Sequence, residues 1–387
     1  MESQQRRTDY ADVMNGEQER LQQIFSTGYL RPSHEEIEAN LPRAKEFLQG
    51  GKLAMIIPVK EKRPVGESLL SNVTRKLPPR CITVVDGGSE ARALEAARKY
   101  GIRVLSASKI LDALDWERLL PILATEERPY GARGTNGKGV AVLAGYLFQY
   151  GVAHYAHFQP AWICQHDIEL AEYEKYRGLE YLLYGLFQKP AARYVKMAQG
   201  GRENERCMAM RSALSCIATS PYVAPAVRKY AAELFEKLTT DKWMLTGEFM
   251  IDWATAMRRP FAIGFLEETL IALFTGSSIR VANPNPRSDD KNSQQKESKM
   301  QQEICNFLLA VALGEQRVCE WSVEDIARFN HRVLSRPIRM GWIPEPEDLG
   351  PVRAEVFEQN RIIPSVTMLE DGGFINETKL EQLVSSH

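Results

Sequence analysis

Leu53-Ala54-Met55-Ile56-Ile57-Pro58-Val59 is followed further along by Cys81-Ile82-Thr83-Val84-Val85. Both runs are short, nearly all apolar, and closed by polar or turn-forming residues. Lys60-Glu61-Lys62 ends the first and Asp86-Gly87-Gly88-Ser89 ends the second. Apolar runs without alternation fit strands of a parallel sheet buried on both faces. Ile102-Arg103-Val104-Leu105 reads as a third strand, and helix-like stretches at residues 69–77 and 91–100 separate the three. Strand and helix in alternation predict an α/β fold, a sheet joined by right-handed crossovers and flanked by helices. Ligands of such sheets bind beyond the carboxyl ends of strands. Residues 58–61 and 86–89 belong at that edge.

Outward from this centre the pattern becomes more helical. Ser33 and Glu36 have capping-box spacing, and Ile37, Leu41, Ala44 and Leu48 follow at helical spacing. Residues 140–150, 170–187, 226–238 and 304–313 read as helices, and residues 155–163 as a strand. Ser322 and Asp325 cap a helix running to about residue 334. Residues 283–302 form a polar loop entering a helix, and the tail from Pro344 reads as irregular. The expected organisation is a helical N-terminal extension over 1–50, a ligand-binding domain over 51–290, and a helical C-terminal region over 291–387.

Composition narrows the function classes. Of 387 residues, 44% are apolar and 26% charged, and the net charge is -1. That is an ordinary globular composition, with no basic excess for nucleic acid or an anionic membrane. The six cysteines form no C-x-x-C pair, which predicts a reduced, cytoplasmic protein. No apolar run is long enough for a membrane span. The six histidines form no zinc signature, and no Gly-x-Ser-x-Gly elbow is present.

Gly134-Thr135-Asn136-Gly137-Lys138-Gly139 opens the apolar helix at 140. Glycines let a backbone approach an anion, a helix start offers N–H groups, and lysine adds charge. A structural turn before a helix explains the same residues equally well. A Walker A loop does not, because Ala132 and Gly139 stand where that motif needs glycine and Ser or Thr.

Taken in order, these elements resemble GT-A glycosyltransferases, above all the retaining synthases of glucosyl-3-phosphoglycerate and mannosyl-3-phosphoglycerate. The resemblance is carried by IIPVKE (56–61), VVDGGS (84–89) and GKGVAVLAGY (137–146). It continues through YVK (194–196), GGREN (200–204), LTGE (245–248) and PFAIGFLEE (260–268). It implies a GT-A-like mixed sheet with helical N- and C-terminal additions, transfer of a sugar from a nucleotide-sugar donor to a small acidic acceptor, and a homodimer. Pro58, Val59, Lys60, Glu61, Asp86, Gly87 and Ser89 would face the nucleotide. Lys138, given room by Gly137 and Gly139, would meet the diphosphate. Arg202 and Asn204 would hold the acceptor, where a forked guanidinium suits carboxylate or phosphate. Gly247 and Glu248 would line the sugar pocket, and Glu268 would bond hydroxyls, so Glu248 and Glu268 are the catalytic candidates.

The family's divalent metal, Mg²⁺ or Mn²⁺, is held by an Asp-X-Asp pair at a strand end and a late histidine. On the simplest alignment Pro160-Ala161-Trp162 takes the place of that pair, and residues 283–290 contain no histidine. Three readings stay open. Lys138, Arg287 or Lys291 neutralises the diphosphate without metal; Asp167 and Asp289 hold the metal instead; or the scaffold binds a ligand without catalysis. A nucleotidyltransferase fits less well, because IIPVKEKRP lacks a glycine-rich loop after the first strand.

Overall fold

The structure is a computed structural model. It describes residues 29–59, 67–88, 95, 97–131, 134–135, 137–167, 173–199, 215, 218–219, 225, 228–229, 232, 247–264, 266–275, 279–284, 307, 318–335 and 361–386.

The first half begins with β1 (Tyr29–Leu30), α1 (His34–Gln49), β2 (Leu53–Val59), α2 (Glu67–Lys76), β3 (Ile82–Asp86) and β4 (Arg103–Ser106). It continues through α3 (Ala107–Leu111), α4 (Trp116–Ile122), a short ribbon of β5 (Tyr130–Gly131) and β6 (Gly134–Thr135), α5 (Lys138–Tyr155) and β7 (Trp162–Gln165). Then come α6 (Tyr173–Tyr176), α7 (Gly178–Gln188), β8 (Tyr194–Gln199), β9 (Phe249–Asp252) and α8 (Trp253–Arg258). The chain closes with β10 (Phe261–Ala262), α9 (Glu267–Thr275), β11 (Ile279–Asn283), α10 (Val323–Ser335), β12 (Ile362–Ile363), α11 (Val366–Asp371) and α12 (Glu377–Ser385).

Eight strands form one sheet in the order β1-β11-β8-β9-β7-β2-β3-β4. Among the described strands of this sheet, only β9 runs antiparallel to its neighbours. The expected α/β class holds, and the reason is visible in β2, all seven of whose residues are buried. Ile56 faces the core layer that contains α5, while Met55 and Ile57 face the layer that contains α1, α2 and α7. With helices on both faces, neither side of the strand needs a polar residue.

Pro58 sits near the end of this central strand, where a missing N–H usually costs a ladder bond. Here it costs none. β7 pairs with β2 only as far as Gln165 opposite Ile56, and His166 N–H then closes on the Ile56 carbonyl at 3.3 Å. Pro58, two residues on, points the same way into a gap past the last paired residue.

That gap is the topological switch point. From β2 the chain adds β3 and β4 on one side, then crosses back through α5 to add β7 on the other. Adjacent strands that leave in opposite directions open a crevice at their carboxyl ends. α5 packs across β2 and β3 and starts at this edge.

Several boundaries differ from the sequence reading. The expected capping box at Ser33 and Glu36 is present, with both reciprocal bonds, and Ser322 accepts from Asp325 N–H as expected. The helix at 140 instead runs on to Tyr155, and the strand after it is Trp162–Gln165 rather than 155–163. The helix at 170–187 is interrupted at Arg177, which adopts φ 54° between α6 and α7. The helices expected at 226–238 and 304–313 lie largely outside the described residues.

The irregular tail is corrected for residues 361–386. β12 pairs antiparallel with β10, and α12 packs on α5. Asn330 fixes the strand by accepting from Ile362 N–H and donating to Ile362 O, both at 2.8 Å. Ser365 and Asn376 cap the two helices.

Ile362, Ile363, Val366, Leu369 and Leu380 are fully buried. At roughly 1.5–3 kcal/mol per side chain, their loss rivals the whole stability of a domain, about 5–15 kcal/mol. Truncation after residue 360 is therefore expected to abolish the cooperative thermal transition. A truncated chain that melts like the full one would show the tail to be an appendage.

Candidate functional site at the sheet switch point

Four chain ends meet at the crevice: those of β2 and β7, the start of α5, and the approach to β9. Lys138, the first residue of α5, pairs its ammonium with Asp167 Oδ1 at 2.7 Å. Asp167 follows β7 directly after Gln165-His166. The two side chains are 20% and 21% exposed, so the pair is shielded but reachable.

Gly247 completes this contact from below. A Cβ there would overlap the Asp167 carboxylate. Gly137 and Gly139 are equally constrained, but by backbone. A Cβ on Gly137 would run into the Ile263 carbonyl oxygen, and one on Gly139 into that of Ala262. The glycines flanking Lys138 thus make room for the 262–264 strand end, and that flank of the helix start is covered by carbonyls.

The remaining expected residues divide clearly. Val59 is packed in the core, and its carbonyl accepts from Gly87 N–H at 2.7 Å. Pro58 is likewise buried. Asp86 Oδ1 accepts from Gly88 N–H at 2.9 Å, so its carboxylate closes the turn after β3. Beside Asp86 opens a cleft of about 180 Å³, with Arg98, Ser106 and Lys109 on its rim and Phe148 and Leu383 in its wall.

Glu248 was expected to line an open pocket as a catalytic candidate. It is instead fully buried, accepting from Tyr176 Oη at 3.3 Å. Burial pushes the neighbouring Cys164 thiol well up, and the Glu248 charge adds to that. Glu268 lies in the first turn of α9, with its side chain outside the described residues. Lys60, Glu61, Ser89, Arg202, Asn204, Arg287, Asp289 and Lys291 also lie outside them.

The register of β7 moves the position expected for the metal pair. Trp162 pairs with Leu53 at the start of β2, so Pro160-Ala161-Trp162 stands at the amino edge of the sheet, away from the crevice. The first carboxylate past the strand end is Asp167, followed in sequence by Glu169. The His166 ring is buried, with Nδ1 3.3 Å from Tyr173 Oη. Among the described residues no three His, Cys, Asp or Glu side chains converge, and the cation on Asp167 is Lys138. Of the alternative ligands considered, Asp167 is paired with Lys138, and Glu169 and Asp289 lie outside the described residues. Among the described residues, the Lys138 ammonium is the positive charge paired with Asp167.

Sequence reasoning missed the pair beneath this site, Arg259 and Glu267. Both are fully buried and joined by Arg259 Nη1 and Glu267 Oε1. Burial pushes the Glu267 carboxyl up, opposed by Arg259, the Ala262 N–H and the charge of Lys138.

No protein-family model and no curated protein matches this chain. Solved structures of glucosyl-3-phosphoglycerate synthase from Mycobacterium tuberculosis are similar to it. The form with Mg²⁺ and uridine diphosphate aligns with TM-score 0.49 and 17% identity, over 74% of this chain and 86% of that one. The form with Mn²⁺ and UDP-glucose aligns with TM-score 0.47 and 18% identity, over 74% and 86%. The form with Mn²⁺, uridine diphosphate and glucosyl-3-phosphoglycerate gives 0.48 and 16%, over 73% and 87%.

Gly247→Ala places a methyl in the Asp167 carboxylate. Overpacking of this kind costs about 1–3 kcal/mol. Urea unfolding is expected to show a loss in that range; unchanged stability would mean that the 247–248 segment is not held against Asp167.

Proposed function

We propose that this chain is a glycosyltransferase that moves a sugar from a nucleoside-diphosphate sugar to a small acidic or hydroxylated acceptor, of glycerate type. One observation carries the reading: Lys138 starts the crossover helix at the switch point and faces a carboxylate that a diphosphate can replace. The ordered sequence elements from 56 to 268 support it independently.

In the proposed reaction the donor diphosphate takes the place of Asp167 against the Lys138 ammonium. A preorganised cation at the position where leaving-group charge develops lowers the barrier. The bond from the anomeric carbon to the diphosphate oxygen breaks, and the acceptor hydroxyl oxygen bonds to that carbon on the same face. A phosphate oxygen of the departing diphosphate takes the hydroxyl proton. The products are a nucleoside diphosphate and a glycoside of retained configuration, and no separate base is required. Asp167 and Lys138 re-form their ion pair when the diphosphate leaves.

Arg202 and Asn204 are assigned to the acceptor and Glu268 to the sugar hydroxyls. Glu248, sealed under Tyr176, is reassigned from catalysis to shaping the floor. Charge neutralisation by Lys138 makes the reaction metal-independent in this reading. Localisation in the cytoplasm and a homodimeric state belong to the same proposal. Among the described residues no helix is long and apolar enough to cross a membrane.

A second reading has its own observation. Asp167 already neutralises Lys138 and Glu248 is inaccessible, as expected of a scaffold that binds a ligand without transfer. Calorimetry and turnover with UDP-, GDP- and ADP-glucose, with 3-phosphoglycerate as acceptor and EDTA present, separate the two. Transfer is expected, with donor affinity falling at least tenfold in Lys138→Ala, about 1.4 kcal/mol. Binding without turnover would favour the scaffold, and no binding would remove both readings.

A further inference from the structure

Neither member of the buried Arg259–Glu267 pair has so far been given a part in the reaction, although Glu267 directly precedes Glu268 at the start of α9. It sits under the 260–264 segment, whose carbonyls lie against Gly137 and Gly139. Glu267 Oε2 accepts from Ala262 N–H at 3.1 Å. The Arg259 guanidinium lies over two aromatic rings, 4.4 Å from the centroid of Tyr146 on α5 and 4.3 Å from that of Phe261. Tyr146 and Phe261 also meet edge to face at 5.3 Å. On the far side, Ile263 N–H donates to Arg361 O at 3.1 Å, and Phe261 and Ala262 pair with β12.

The segment is therefore fixed by a sealed charge pair on one side and a strand on the other. The first turn of α5 is seated against the result. Glycine at 137 and 139 lets the contact close to backbone distance, so any movement of the Ala262 and Ile263 carbonyls is passed to Lys138 without a side chain to absorb it. Buried ion pairs of this kind are poor sources of stability compared with apolar packing, which leaves positioning as the role that explains their placement.

We infer that Arg259 and Glu267 are positioning residues that set the location of Lys138 through the Ala262–Ile263 carbonyls, and so tune the affinity for a nucleoside diphosphate. This rests on the reading of Lys138 as the diphosphate cation. A misplacement of about 1 Å can cost a reaction as much as a hundredfold in rate; the effect expected here on affinity is about tenfold.

The test uses the full chain and, as probe, whichever of UDP-, GDP- or ADP-glucose the wild type binds most tightly. Glu267→Gln alone leaves Arg259 buried without its counter-ion, so it is accompanied by the paired variant Arg259→Met with Glu267→Gln, in which neither charge remains. Gly139→Ala is the third variant, since it displaces the Ala262 carbonyl from the other side. Each is expected to keep the wild-type circular dichroism and to weaken the probe about tenfold. In a Lys138→Ala background the same changes are expected to have no further effect, the signature of residues acting through one another.

Equal losses in both backgrounds overturn the inference. So does unchanged affinity in a folded paired variant. Failure of both the paired variant and Gly139→Ala to fold also overturns it, leaving a structural role only. If the wild type binds none of the three sugars, the functional reading falls and takes the inference with it; binding by the wild type with equal losses removes the inference alone.

Discussion

At residues 137 and 139 there is room for hydrogen and nothing larger. The carbonyls of Ile263 and Ala262 occupy the space a Cβ would fill, and the rest of the arrangement depends on this contact. It ties the start of the crossover helix, built from the first half of the chain, to a strand end contributed by the second. Such Cα–H···O contacts are individually weak. The closeness is imposed from behind by the Arg259–Glu267 pair, two aromatic rings and the pairing of β10 with β12. The last strand and helices of the chain therefore bear on the geometry of a site formed early in the sequence.

Two ion pairs near this contact have different chemistry because they differ in burial. Arg259 and Glu267 are sealed, and a buried charge without its partner is too costly for exchange. Lys138 and Asp167 retain about a fifth of their exposure, where water screens part of the attraction. A carboxylate there can yield to an incoming anion of higher charge. The sealed pair holds geometry, and the shielded pair is the exchangeable one. The switch-point crevice supplies the space in which exchange happens, since β7 stops pairing with β2 before Pro58.

Much of the sheet was legible because its strands are buried on both faces. LAMIIPV and CITVV need no polar side and so stand out as continuous apolar runs. β7 was misplaced for the opposite reasons. It is only four residues long and ends in the buried polar residue Gln165, while Tyr155, which opened the expected run, belongs to the last turn of α5. That shift put Pro160–Trp162 at the metal position in the sequence reading and kept Asp167 only as an alternative ligand. Lys138 was found by its helix start and glycines, but the glycines were matched to a phosphate rather than to a neighbouring backbone. The physics of close approach is the same in both cases, and only the fold says what approaches.

Buried charge was the least legible feature. Lys196, Arg280, Arg259 and Glu267 are all core residues, and a pattern that sends charge to the surface hides them. The tail was readable in part: Ser365 and Asn376 are good helix caps, and Val366 and Leu369 have helical spacing. Its prolines and charges outweighed these signs in the sequence reading.

The central claim is that Lys138 exchanges Asp167 for a diphosphate at the switch point. A crystal structure of the full chain with its preferred nucleoside-diphosphate sugar tests it directly. The account predicts diphosphate oxygens at hydrogen-bond distance from Lys138 Nζ, with the Asp167 carboxylate turned away. A bound nucleotide elsewhere, with the Lys138–Asp167 pair intact, would contradict it.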